Sequence, residues 1–111
     1  MITFTVWKSE HQYKGFESKG HADYAGDGDD ILCAAVSALT FNAVNSIEEF
    51  TEDAYQVEQA EDGGYLKVLF PEGLSERAAL LMDSLVLGIG NIEAEYGNEY
   101  ITLLLEEVKL C

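Results

Sequence analysis

The chain has 111 residues, 48% of them apolar and 11% aromatic, and a formal net charge of −15 from 21 acidic against 6 basic residues. That length supports one domain around a single hydrophobic core, and that apolar fraction excludes intrinsic disorder. The charge disfavours direct nucleic-acid binding, because phosphate backbones repel an acidic surface, and it favours encounter with a basic partner.

Two cysteines, Cys33 and Cys111, are too few for a disulfide framework. No apolar run approaches the roughly 20 residues that span a bilayer. The opening MITFTVWKSE alternates like a strand and lacks the basic and apolar regions of a signal peptide. The expectation is a cytoplasmic protein with reduced thiols and no membrane contact.

Residues 2–8 (ITFTVWK) set apolar against Thr with a period of two, which predicts a strand. SEHQ makes a turn, and residues 13–18 (YKGFES) return as a second strand, with Gly15 marking a bulge or a close backbone approach. Lys19-Gly20 ends it and His21 follows. From His21 to Asp30 the chain turns polar, with four aspartates and two glycines, and reads as a long functional loop. Asp29 and Asp30 stand at a helix N-cap, and ILCAAVSALTFNAVNSIEEF then predicts a helix apolar on almost every face. Such a helix is expected to be packed on both sides, on the sheet and on a second helix or a partner subunit.

AYQVEQA and YLKVLF predict two further strands joined by a turn at Glu61-Asp62-Gly63-Gly64. Apolar positions Leu74, Ala78, Leu81, Leu85, Ile89 and Ile92 predict a second helix, capped by Gly73 or Ser75 and ended by Gly97. YITLLLEEV closes the chain as a strand whose leucines point to a buried position. The order β-β-α-β-β-α-β describes a single α+β domain over residues 1–111, with a mostly antiparallel sheet and two helices.

With Asp30 as N-cap, Cys33 occupies the first turn of its helix, where the helix end favours a thiolate. His21, just before the loop, can serve as the base of such a nucleophile. Ser37, four residues after Cys33, lies on the same helix face. An inert cysteine in an Ala-rich helix accounts for Cys33 equally well on spacing alone, and Ser37 can simply bond back to its own helix. Both readings stand at this level. His11, His21, Cys33 and Cys111 lack the spacing of a metal site, and Asp23, Asp27, Asp29 and Asp30 lack the ligand alternation of a calcium loop. Gly26 and Gly28 sit among acids that oppose a phosphate. No metal and no cofactor is expected.

The pairing of GHA with DILCAAVS across a Gly/Asp loop resembles the signature of the ribosomal-processing cysteine protease family, Prp. SALTFNAVNSIEE and the later LGI, with its trailing EY, extend the likeness along the whole chain. The resemblance implies a His–Cys dyad at His21 and Cys33, with Gly20, Asp30 and Ser37 in supporting positions. It also implies a homodimer that removes a short N-terminal extension from large ribosomal subunit protein twenty-seven. The loop carrying Asp23, Gly26, Asp27, Gly28 and Asp29 is then expected to close over the substrate. Leu32 stands where the family commonly has a β-branched residue. No residue that would orient His21 is identifiable. The competing expectation is a non-catalytic acidic dimer that docks a basic, ribosome-associated partner.

Overall fold

Five strands and two helices alternate as ββαββαβ in a computed structural model that describes residues 1–21, 31–61 and 63–108. Strands β1 (Ile2–Ser9) and β2 (Gln12–Lys19) pair antiparallel. Their two-residue connection, Glu10 and His11, has both φ angles positive, at 51° and 70°, which matches the right-handed twist of a tight hairpin. Strand β4 (Tyr65–Leu69) runs antiparallel to β2, β3 (Gln56–Gln59) runs antiparallel to β4, and β5 (Ile101–Glu107) runs parallel to β1. The sheet order is therefore β3-β4-β2-β1-β5, mixed but mostly antiparallel.

The period of two that marked β1 has a physical outcome: Ile2, Phe4 and Val6 share one face and are all buried. Register carries that face across the sheet through Phe16, Leu66, Val68 and Ile101. Helices α1 (Ile31–Phe50) and α2 (Glu76–Tyr96) complete the core with Leu32, Val36, Ala43, Val44 and Ile47, and with Ala78, Met82, Leu85 and Ile89. Each large side chain so buried is favoured by about 1.5–3 kcal/mol over an exposed one.

Gly15 does both things expected of it. A Cβ there would stand 2.5 Å from the Val68 carbonyl oxygen, and the β1–β2 register shifts immediately beside it, between Trp7 and Lys8. Helix α2 is capped by Ser75, whose hydroxyl accepts from the Ala78 N–H at 3.2 Å and donates to Asp53 at 2.6 Å. The helix ends at Gly97.

Two expectations change. Strand β5 is an edge, not a buried strand: Leu104 and Leu105 are 40% and 62% exposed. Its strand ladder runs to β1 on one side only, the Leu103 N–H donates to the Glu93 carboxylate at 2.7 Å, and the helices cover it no further than Leu103. Helix α1 packs against α2 and sends Leu32, Val36, Ala43, Val44 and Ile47 into the shared core, while Ala34, Ser37, Ala38, Phe41 and Asn45 stay exposed. By length and composition α1 is apolar enough to cross a membrane, contrary to the sequence expectation, yet its Leu32, Val36, Thr40, Val44 and Ile47 enter the core of this fold.

The sheet and α2 are tied by the Tyr13 hydroxyl, which donates to Asp83, while the Lys8 ammonium lies 4.6 Å from the Tyr13 ring centroid. Burial first, then the hydrogen bond and charge of Asp83, push the Tyr13 phenol well above its ordinary value of 10.0. A raised folded-state pKa gives stability that is complete below about pH 10 and is lost as pH rises toward the folded-state value. The urea midpoint of the parent chain should therefore drop between about pH 9 and pH 11. Tyr13→Phe should show a smaller drop over the same interval.

Candidate active site

Strand β2 delivers His21 at a fixed exit. Its last residue, Lys19, still pairs with Thr3 on one side and Tyr65 on the other. Gly20 then leaves the strand with φ +90°, and its N–H donates to the Gly64 carbonyl at 2.8 Å. A Cβ at Gly20 would lie 2.4 Å from the Met1 carbonyl oxygen. Backbone conformation and space thus both demand glycine before the histidine. His21 follows directly and is exposed.

Cys33 is the third residue of α1, half-buried and packed against the core, and it carries a thiol. The first turn of an α-helix directs its N–H groups outward and presents the positive end of the macrodipole. Both effects favour sulfur as thiolate, and no acidic residue in that turn opposes them. Ser37 lies one turn on, exposed.

A cleft of about 200 Å³ joins these two parts of the chain. Ser18, three residues before His21, lines it from β2, and Val36, Ser37, Thr40 and Phe41 line it from α1. Gln59, Gly63, Tyr65 and Leu66 close it from the β3–β4 hairpin. The strand that leads to His21 and the helix that begins beside Cys33 therefore wall one cavity. The Tyr65 hydroxyl donates to Glu17 at 2.8 Å, and that bond, with burial and the Glu17 and Glu58 charges, pushes its pKa up to about 12. Thr40 donates to the Val36 carbonyl at 2.6 Å.

Asp23, Gly26, Asp27, Gly28, Asp29, Asp30 and Cys111 fall outside the described residues. Among the described residues no group of three His, Cys, Asp or Glu side chains could hold a metal ion. His11 sits apart, exposed at the β1–β2 turn. Sequence reading missed Thr40, Phe41, Gln59 and Tyr65. Phe41 continues the Cys33–Ser37 spacing by four and was legible in principle, whereas Gln59 and Tyr65 reach the cleft only through strand pairing.

A sequence model of the family described as Cysteine protease Prp matches residues 1–102. The chain belongs to the Prp family. A ribosomal processing cysteine protease Prp of Bacillus subtilis is 35% identical over 101 residues, covering 86% of this chain and 90% of that protein. One from Staphylococcus aureus is 33% identical over 84 residues, covering 76% and 78%. Among solved structures, S. aureus Prp in complex with a covalently linked product peptide superposes with a TM-score of 0.88 at 30% identity, over 96% of this chain and 100% of that one. SMU.848 from Streptococcus mutans gives 0.85 at 31% identity, over 97% and 96%. As a member of the Prp family the chain is a cysteine protease of the ribosomal-processing class.

The exit of β2 yields a direct test. Gly20→Ala should lower the folding free energy by about 1–3 kcal/mol, read from the urea midpoint, since a left-handed conformation and an overlap with Met1 are both imposed. Peptide cleavage should fall further than stability does, because His21 is displaced with its neighbour.

Proposed function

We propose that this protease removes the short N-terminal extension of large ribosomal subunit protein twenty-seven, using Cys33 as nucleophile and His21 as its general base and acid. The observation that carries the reading is the position of Cys33 in the first turn of α1, one turn before Ser37, which lines the cleft that β2 also walls. The likeness to an S. aureus enzyme solved with a covalently linked product peptide supports it further.

In this mechanism the Cys33 thiolate attacks the scissile carbonyl carbon and forms a carbon–sulfur bond. N–H groups of the α1 first turn stabilise the oxyanion. As the intermediate collapses, the carbon–nitrogen bond breaks and protonated His21 gives its proton to the leaving amine. Water, deprotonated by His21, then attacks the thioester, releasing the new carboxylate and returning the Cys33 thiolate. Ser37, beside the thiol on the same face, is available to hold the peptide.

The acidic surface suits a basic ribosomal protein better than RNA. Exposed Glu48, Glu49 and Glu52 near the end of α1, and Glu58 and Glu61 by the β3–β4 hairpin, raise the encounter rate with a cationic substrate. The same reading takes the enzyme as a cytoplasmic homodimer.

A peptide spanning the extension should be cut once by the parent protein. Cys33→Ala should lose cleavage by a factor on the order of 10³ or more, and His21→Ala by a comparable factor. Cleavage that survived Cys33→Ala would remove the nucleophile assignment; full activity in His21→Ala would remove the dyad. Iodoacetamide should alkylate Cys33 quickly at neutral pH in the folded state, whereas an inert core thiol would react only on unfolding.

A further inference from the structure

We propose that the surface around Phe50, where the end of α1 meets the start of α2, is an exosite for the substrate protein. It holds a basic, partly apolar segment on the side of the scissile bond that is retained after cutting. The proposal rests on the cleavage reaction described above and gives this surface no part in the chemistry.

Phe50 is the last residue of α1 and is 58% exposed, and Leu80 of α2 is 67% exposed. Single exposed apolar side chains are ordinary, but these two line one hollow of about 180 Å³, with Thr51, Arg77 and Leu81. Phe50 also lines two neighbouring hollows. One, of about 550 Å³, carries Glu49, Glu52 and Asp53; the other, of about 470 Å³, carries Glu48 and Glu49. An exposed aromatic ring set between concave surfaces is the shape of an interface anchor. The floor beside it is preformed. The Thr51 hydroxyl donates to the Ile47 carbonyl at 2.6 Å and accepts from the Asp53 N–H at 3.2 Å. The Asp53 carboxylate accepts from the Ser75 N–H at 3.0 Å and from its hydroxyl at 2.6 Å. Asp53 is thereby engaged in the helix cap, while the exposed Glu49 and Glu52 flank the ring. A surface fixed in advance loses little freedom on binding.

Charge selects the occupant. Phe50 and Leu80 suit an apolar side chain, and the carboxylates flanking Phe50 suit lysines or arginines beside it. A second copy of this chain, with 21 acidic residues against 6 basic ones, brings the wrong sign. Reach selects the segment. Phe50 follows Cys33 by 17 residues on one helix, a distance of about 26 Å at 1.5 Å per residue. An extended peptide advances about 3.3 Å per residue, so about eight residues separate the cut from the segment held. The short extension is occupied at the thiol, whereas the retained protein continues past that length. The segment therefore belongs to the retained side.

The test compares two substrates on the whole enzyme. One is the full-length precursor of large ribosomal subunit protein twenty-seven; the other is a peptide ending about four residues after the cut, too short to span the distance to Phe50. The precursor should exceed the peptide by about 10-fold or more in kcat/KM at low salt. Added salt should shrink that advantage, because exposed charges are screened. Phe50→Ala and Leu80→Gln should each lower the precursor's kcat/KM by about 5-fold or more. Neither should change the peptide's, which separates a lost contact from a lost fold. Arg77→Glu places a carboxylate in the first turn of α2, where the helix end favours it, and should enlarge the advantage several-fold. Equal kcat/KM for the two substrates would overturn the exosite and leave the proposed reaction intact. So would an advantage that neither Phe50→Ala nor Leu80→Gln reduces. A fall in the enzyme's mass in solution on Phe50→Ala would also overturn it, since a second copy would then cover the ring. Failure of the parent to cut either substrate would overturn the proposed reaction and the exosite with it.

Discussion

Three phenylalanines hold the molecule in one piece. Phe4 and Phe16 stack across the β1–β2 ladder with ring centroids 5.4 Å apart and planes within 12°, and Phe70, just past β4, tilts against Phe16 at 6.4 Å. All three are at most 2% exposed. They join the three central strands on the face that receives both helices. Truncating one such ring typically costs about 3–5 kcal/mol, a large part of the roughly 5–15 kcal/mol that separates folded from unfolded domains. Everything chemical in this protein is positioned relative to that row.

The helix that carries Cys33 shows how the positioning works. Leu32, Val36 and Thr40 face inward and are nearly inaccessible, while Cys33, Ser37 and Phe41, each one residue on, form the adjoining stripe, of which Ser37 and Phe41 line the cleft. A helix that must bury one face in a close-packed core cannot roll about its axis without opening voids, so the stripe is held at a set angle to β2 and β4. Rigidity of the scaffold becomes orientation of the thiol.

Much of this was legible in the residues. Period-two alternation, turn boundaries and β-rich composition together identified all five strands, and α1 spans the twenty residues that its apolar run marked out. Local rules reached the close approach at Gly15 and the Ser75 cap. They failed where burial depends on neighbours remote in sequence. The leucines of β5 read as interior because leucine usually is, but Leu104 and Leu105 lie on a strand with a partner on one side only. The cleft was invisible because Gln59, Tyr65 and Leu66 meet α1 only after β4 has paired with β2, a register no local pattern announces.

The parallel pairing of β1 with β5 has a bearing on when such an enzyme becomes active. Ile2 stands beside Ile101, and the Ile2 N–H donates to the Tyr100 carbonyl at 2.8 Å, so the first strand is completed by residues far later in the chain. Contacts so distant in sequence form late and slowly. Met1, the neighbour of that bond, is also the residue whose carbonyl abuts Gly20. On a ribosome, the Gly20 exit from β2 would therefore settle only after β5 has cleared the exit tunnel, and a growing chain would carry Cys33 before the strand beside its cleft is fixed at that end.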